Sequence, residues 1–247
     1  LFPMEFWPKQ IVVTGSVLME EKKMSKSLGN IIPLRDAIRD YGVDPFRLTI
    51  LSTAELLQDA DFSPALAKAL RERLERLHAS ASEVAKSGAI TQETTPLDRW
   101  MLSRLQGYVL AVTKAMDSLR FREAIQNTIY LLDQDIQWYL RRKESEENSA
   151  HTSVLKEVLE TRILFLAPFT PHLCEELWQI LGKEGFVSTM RWPEYDESKI
   201  DAHALLGEEL ITSLREDTLS ILNATKLTPR RVTFYTATPW KWKIYLK

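Results

Sequence analysis

The sequence predicts a mainly α fold: a short α/β segment, then a bundle of antiparallel helices, then the start of a small α/β domain. Three observations predict it. Apolar residues recur at three-to-four spacing through the middle of the chain, as in helices packed side by side. Near the beginning, Gln10-Ile11-Val12-Val13-Thr14 is a β-branched run that ends at Gly15, the pattern of a buried parallel strand. Near the end, Arg231 to Thr236 alternates like a strand.

Element by element, the run at 10–14 is followed by a second extended piece, Val17-Leu18-Met19, which leads into a charged loop from Glu20 to Ser27. Pro33 opens a short helix at its first turn and Gly42 closes it. Asp44 is expected to cap the next helix, with Pro45 following and Phe46, Leu48 and Leu51 along it. The boundary between the α/β part and the bundle falls near Gln58–Ser63. Ser63-Pro64 then begins a long helix with Leu66, Leu70, Leu74 and Leu77 on one stripe. Thr95-Pro96 begins another, carrying Leu97, Trp100, Met101, Leu105, Tyr108 and Val112. A third runs from Phe121 to Arg142 with Ile125, Ile129, Leu132, Ile136 and Tyr139, and a fourth from Ser153 to Ala167. Thr170-Pro171 opens a shorter helix that Gly182 stops. Residues 183–200 read as loop, and a last helix spans Ala202 to Asn223. Trp100, Trp138 and Trp178 fall on apolar stripes and are assigned to the core.

Composition excludes several classes. Of 247 residues, 45% are hydrophobic, enough for a core and one or two domains. With 8 Gly and 11 Pro, long disordered stretches are not expected. The single cysteine, Cys174, cannot form an internal disulfide, and Cys clusters of the zinc type are absent, as suits a reducing compartment. No apolar run is long enough for a transmembrane helix, and the first residues lack the pattern of a signal peptide. The chain begins without Met and runs almost at once into an expected strand, like a piece of something longer. Net charge is -2, yet its distribution is uneven. After Asp217 no acidic residue follows, while Lys226, Arg230, Arg231, Lys241, Lys243 and Lys247 are interleaved with Phe234, Tyr235, Trp240, Trp242 and Tyr245. Such a mixture suits phosphate contact with base stacking, or equally an incomplete strand.

The string with the clearest chemistry is Lys23-Met24-Ser25-Lys26-Ser27, followed by Leu28-Gly29-Asn30. Two ammonium groups and two hydroxyls on a loop after a strand form a phosphate clamp, because each Lys carries a point charge on a flexible stem. A specified five-residue string arises by chance about once in ten thousand chains of this length, and its place between a strand and a short helix supports the functional reading over a solvated turn.

The string resembles the second signature of class I aminoacyl-tRNA synthetases, whose loop binds the ATP triphosphate and stabilises the leaving pyrophosphate. Carried over by position, Lys26 would be the main phosphate ligand and Lys23 its support. Met24, Ser25 and Ser27 would complete the ATP-binding string, and Gly29 and Asn30 would shape the loop exit. The stretch 11–51 looks like a last Rossmann strand, signature loop and stem-contact helices. AELLQDADFS at 54–63 is similar to the junction in leucyl-tRNA synthetases of the archaeal and eukaryotic cytosolic type. LAPFTPHLCEELWQILG at 166–182 resembles the hallmark of the helical anticodon-binding domain, Met190-Arg191-Trp192-Pro193 the element after it, and 230–245 the region past the bundle. The resemblance implies the end of a Rossmann catalytic domain at 1–62, an anticodon-binding bundle at 63–200, and the start of a tRNA-contacting domain at 201–247. It implies leucine, ATP with Mg²⁺, and tRNA(Leu) as ligands of a cytoplasmic, monomeric full-length enzyme. The family's first signature and first Rossmann half are not in this sequence, so the 247 residues are expected to be inactive alone. The isoleucine, valine and methionine enzymes of the subclass stay open, as does a tRNA-binding module without catalysis.

Other residues carry weaker expectations. Arg141, Arg142 and Lys143 end a helix, where they can compensate its dipole or contact tRNA phosphate, and the acidic Glu144, Glu146 and Glu147 follow. Arg230, Arg231 and Lys241 are the tRNA candidates of the tail. His172 with Glu175 or Glu176 has helical spacing, but a capping or packing role is favoured over a metal site. Asp59 and Asp61 read as turn and cap groups rather than an acid–base pair. Arg71, Arg73 and Arg76, interleaved with Glu72 and Glu75, read as a solvated face.

Overall fold

The computed structural model describes residues 3–86, 94–143, 152–235, 237–238 and 240–241. Two units are distinguished, Leu1–Leu205 and Leu206–Lys247.

In the first unit a three-stranded sheet has the order β2-β1-β3, with β1 at Val17–Met19, β2 at Lys22–Lys23 and β3 at Ala60–Phe62. β1 pairs antiparallel with β2 and parallel with β3, placing Leu18 opposite both Lys23 and Asp61. Parallel pairing requires a crossover, supplied here by α1 (Leu34–Tyr41) and α2 (Val43–Thr53). Phe62, 1% exposed, closes the arrangement by packing its ring against Tyr41 at 5.4 Å and Phe46 at 5.2 Å.

The expected strand at 10–14 is not formed. Ile11 and Val13 are 78% and 63% exposed, and no strand among the described residues pairs with this run. A β-branched run signals fitness for a half-buried pleat, not its existence; the ladder needs a neighbour. The extended piece at Val17 takes the sheet position instead.

The helices follow the apolar stripes closely: α3 (Pro64–Lys86), α4 (Pro96–Asp117), α5 (Phe121–Ile125), α6 (Leu132–Lys143), α7 (Thr152–Leu166) and α8 (Pro171–Ile180). Ser63 starts α3, its hydroxyl accepting from the Leu66 amide at 3.4 Å. Thr95 starts α4 with a capping box, in which Thr95 and Asp98 exchange side-chain-to-amide bonds. The third expected helix is not continuous α. Gln126–Leu131 winds as a π segment between α5 and α6, although Ile125, Ile129, Leu132 and Ile136 all remain buried. Residues 183–200 are a loop with two single 3₁₀ turns. Trp192 in that loop donates to Thr113 at 2.7 Å and stacks near Phe165.

One core links these parts. Leu48 of α2, fully buried, belongs to the same cluster as Leu70, Leu74, Met101, Leu105, Ile129, Phe165 and Leu177. Trp100 and Trp178 are buried and Trp138 packs against the cluster. Cys174 is also inside; burial pushes its thiol pKa up to about 12, against the partial relief of a hydrogen bond with Thr170.

Two side chains, Asp44 and Arg73, depart from the sequence reading. Asp44 does not cap α2, whose N-cap is Gly42; it accepts from the Leu173 amide at the start of α8, 2.7 Å away. His172 joins it there, Nδ1 lying 2.9 Å from Asp44. Arg73 is not on a solvated face: it reaches Asp133 at 3.7 Å and lies 4.6 Å over the Tyr130 ring.

The last helix, α9, spans Ala202–Thr225. In the unit Leu206–Lys247, the expected strand at Arg231–Thr236 is not seen: 231–235 carry no strand pairing, and Thr236 lies outside the described residues. The physical reason matches that at 10–14, since no other described residue of this unit supplies a partner strand. Trp242, Lys243, Tyr245 and Lys247, and the acidic Glu144, Glu146 and Glu147, also lie outside the described residues.

Candidate phosphate loop and nucleic-acid face

The signature string leaves the sheet through a hairpin. Glu20 and Glu21 form its two-residue turn with φ of 51° and 63°, the doubly left-handed geometry that matches the twist of paired strands. Lys23 is the last residue of β2, so the string begins on a strand and continues as loop. The rest of the loop is tied internally. Asn30 is the main tie: its Oδ1 accepts from the Ser25 amide at 2.9 Å, and its Nδ2 donates to the Lys23 carbonyl at 3.2 Å. The Ser25 hydroxyl accepts from the Leu28 amide at 3.2 Å and lies 2.8 Å from the Ser27 hydroxyl. The Gly29 amide closes a turn onto the Lys26 carbonyl at 3.2 Å, with Gly29 at φ 66°, a conformation that favours glycine.

These bonds use backbone groups, hydroxyls and one amide. They leave both ammonium groups for an outside ligand. Lys23 and Lys26 are exposed, and among the described residues neither has an acidic partner. A loop braced by neutral hydrogen bonds and carrying two such cations can follow a polyanion. The described residues include no group of three His, Cys, Asp or Glu side chains arranged to hold a metal ion.

Asp59, just before β3, ties down the entry to β1, and Asp61, on β3, braces the hairpin turn. Asp59 accepts from the Ser16 amide at 2.7 Å, and Asp61 from the Glu21 amide at 2.9 Å. Both cap backbone amides some forty residues away in sequence, a pairing that local turn rules do not register.

The basic candidates divide. Arg141 is exposed and Arg142 half-buried at the end of α6, while Lys143 is buried. Lys143 donates to Asp98 at 3.1 Å and to the Thr95 hydroxyl at 3.2 Å. It therefore belongs to an internal network rather than to a nucleic-acid face. Burial opposes the charge on Asp98, but bonds from the Tyr139 hydroxyl, the Thr95 amide and hydroxyl and Lys143 outweigh it and hold the carboxyl below its ordinary value. Arg230, Arg231 and Lys241 are exposed, and the Lys241 ammonium lies 5.5 Å from the Trp240 ring.

Comparison with known proteins matches this arrangement. Residues 98–230 match the family described as the anticodon-binding domain of tRNA ligase, and residues 4–76 that described as tRNA synthetases class I (M). Among curated proteins, the leucine–tRNA ligase of Methanosarcina mazei is 44% identical over 98% of this chain and 24% of its own length. Those of Methanocaldococcus jannaschii and Pyrococcus abyssi are 42% and 40% identical over 99% of the chain and 25% and 26% of their own lengths. A solved ternary complex of an Agrobacterium radiobacter LeuRS with tRNA and LeuAMS superposes with a TM-score of 0.65 at 25% identity, over 76% of this chain and 24% of that one. The chain thus spans about a quarter of the length of the relatives it matches. With more than half of its residues inside the first match, and the class I match covering the segment that carries the loop, the chain belongs to the tRNA-ligase family of anticodon-binding domains.

Proposed function

We propose that this chain is the part of a leucine–tRNA ligase that supplies the ATP-phosphate loop and the tRNA-docking bundle. The observation that carries the reading is the loop itself: Lys23 and Lys26 exposed on a hairpin exit whose other polar groups are engaged with one another. Lys26 is the main phosphate ligand and Lys23 its support, with Met24, Ser25 and Ser27 setting their spacing. In this reading the leucine carboxylate attacks the α-phosphate of ATP and pyrophosphate leaves. The carboxylate is already a nucleophile, so no protein base is required. The two ammonium groups act on charge that builds on the leaving phosphates, and only what they gain in the transition state raises the rate. Mg²⁺ would be carried with the nucleotide, where it would neutralise part of the phosphate charge.

The bundle and tail hold tRNA(Leu) through Arg141, Arg142, Arg230, Arg231 and Lys241. The full-length enzyme is read as a cytoplasmic monomer. Among the described residues no helix is long and apolar enough to cross a membrane. The identity to leucine–tRNA ligases over 98–99% of the chain supports leucine as the amino acid.

In the full-length protein, Lys26→Ala should lower leucine-dependent ATP–pyrophosphate exchange by about 10²–10³-fold, the usual loss for one transition-state donor. Leucine affinity should hardly change. Retention of more than half the exchange rate would overturn the assignment.

A further inference from the structure

We propose that Asp61 is a positioning residue for the signature loop: from β3 it holds the Glu20–Glu21 turn through the Glu21 amide, and so fixes where β2 delivers Lys23 and Lys26. This rests on the ATP-phosphate reading of the loop.

The turn needs something to hold it. Both central residues are left-handed, at φ 51° and 63°, yet neither is a glycine, asparagine or aspartate, the residues that adopt this geometry readily. The turn also sits immediately before Lys22 and Lys23, the whole of β2, which is only two residues long. A strand so short cannot fix its own course. Asp61 supplies the missing constraint, its Oδ1 accepting from the Glu21 amide at 2.9 Å.

Asp61 is itself firmly placed. β3 runs parallel to β1 in the register Leu18↔Asp61. The Ser16 amide donates to Asp59 at 2.7 Å, and the Ala60 amide to the Ser16 carbonyl at 2.9 Å. At Gly15 the two segments approach so closely that a Cβ would lie 2.2 Å from the Gln58 carbonyl oxygen. Residues 58–62 are therefore fastened along 15–21. After Phe62, one residue, Ser63, separates β3 from α3, whose Leu70, Leu74 and Leu77 are buried in the bundle core. The loop is thus braced from a strand that continues directly into the bundle, and Asp61 is the side chain through which that brace reaches the hairpin.

A merely structural Asp61 would affect stability without regard to substrate. The test uses the full-length protein with Asp61→Ala, Asp61→Asn and Lys26→Ala, and reads kcat and KM for ATP and for leucine in pyrophosphate exchange, together with thermal melting. Asn keeps an acceptor of the same shape for the Glu21 amide. Asp61→Ala should lower kcat/KM for ATP about tenfold, the effect of one hydrogen bond to a charged group, with the KM for leucine and the melting temperature unchanged. Asp61→Asn should recover most of that loss. If Lys26→Ala abolishes exchange while Asp61→Ala leaves it intact, the positioning role is overturned and the loop reading stands. A loss in Asp61→Ala that follows a lowered melting temperature, or that Asn does not recover, also overturns it. If Lys26→Ala behaves as wild type, the phosphate-loop reading falls and this inference with it.

Discussion

Asp98, at the start of α4, accepts hydrogen bonds from the Thr95 amide and hydroxyl, each at 2.9 Å, from Lys143 at 3.1 Å and from the Tyr139 hydroxyl. Asp98 is 5% exposed, Lys143 2% and Tyr139 0%. One carboxylate therefore completes a helix cap and neutralises a buried cation at the far end of α6. Removing the cation leaves the carboxylate buried without its counter-charge, so Lys143→Met should cost about 3–5 kcal/mol at neutral pH. The pH dependence follows from the depressed pKa of Asp98. A carboxylate held below its unfolded value stabilises the fold fully above that value, and the contribution fades as pH falls through the folded value. The gap between wild type and Lys143→Met should then narrow in urea denaturation when the pH is taken from neutral to below the ordinary carboxylate range. A gap of equal size at both pH values would show that Lys143 acts through its alkyl stem. The cap at Thr95-Pro96 and the Tyr139 stripe could be read locally in the sequence. The pairing of Lys143 with Asp98 could not, because they are 45 residues apart, and a Lys ending a helix looks like ordinary dipole compensation.

α2 grips the turn between α7 and α8 with two side chains of opposite charge. Asp44 accepts the Leu173 amide at 2.7 Å, at the amino end of α8, and Arg47 donates to the carbonyls of Phe169 and Pro168 at 3.2 and 3.1 Å, just past the end of α7. Each sign suits the helix end it meets. α8 has no side-chain cap of its own, since Thr170 makes none and its hydroxyl donates back to Leu166. Asp44→Ala should therefore destabilise the protein by about 1–2 kcal/mol, as for a lost N-cap, and Asp44→Asn by much less. Chemical denaturation of the three proteins checks this, and an alanine variant within a few tenths of wild type would assign the contact no energetic role. Helix starts at Ser63-Pro64, Thr95-Pro96 and Thr170-Pro171 were legible because each start depends on neighbours in sequence. The Asp44-Pro45 pair carries the same local signature, yet its partner lies 129 residues away. The π segment at Gln126–Leu131 was hidden for another reason: the apolar stripe continues through it, and spacing alone does not register one shifted hydrogen-bond pattern. At 10–14 the β-branched composition was correct for a strand, but composition does not supply the neighbour.

Across the whole chain, 32 basic residues are offset by 34 acidic ones, so the net charge alone does not draw a polyanion and the placement of the cations decides. In the proposed reading, docking of tRNA then depends on which cations its phosphates reach. Several arginines of the bundle are already committed: Arg104 to Asp135 at 2.7 Å, Arg162 to Asp133 at 3.0 Å, and Arg99 to Asp201 at 2.7 Å. The exposed Arg141 and the adjoining Arg142, in the last turn of α6, are the two candidates of the bundle. Affinity at one salt concentration would not separate a phosphate contact from an indirect effect on helix α6. The salt dependence does, because each phosphate neutralised releases counterions and adds close to one to the slope of log K against log salt. In the full-length protein, Arg141→Ala with Arg142→Ala should weaken tRNA binding and reduce that slope by up to about two. Measured over a salt series, weaker binding with an unchanged slope would place both arginines in helix-end electrostatics, and the tRNA backbone would have to be held by Arg230, Arg231 and Lys241.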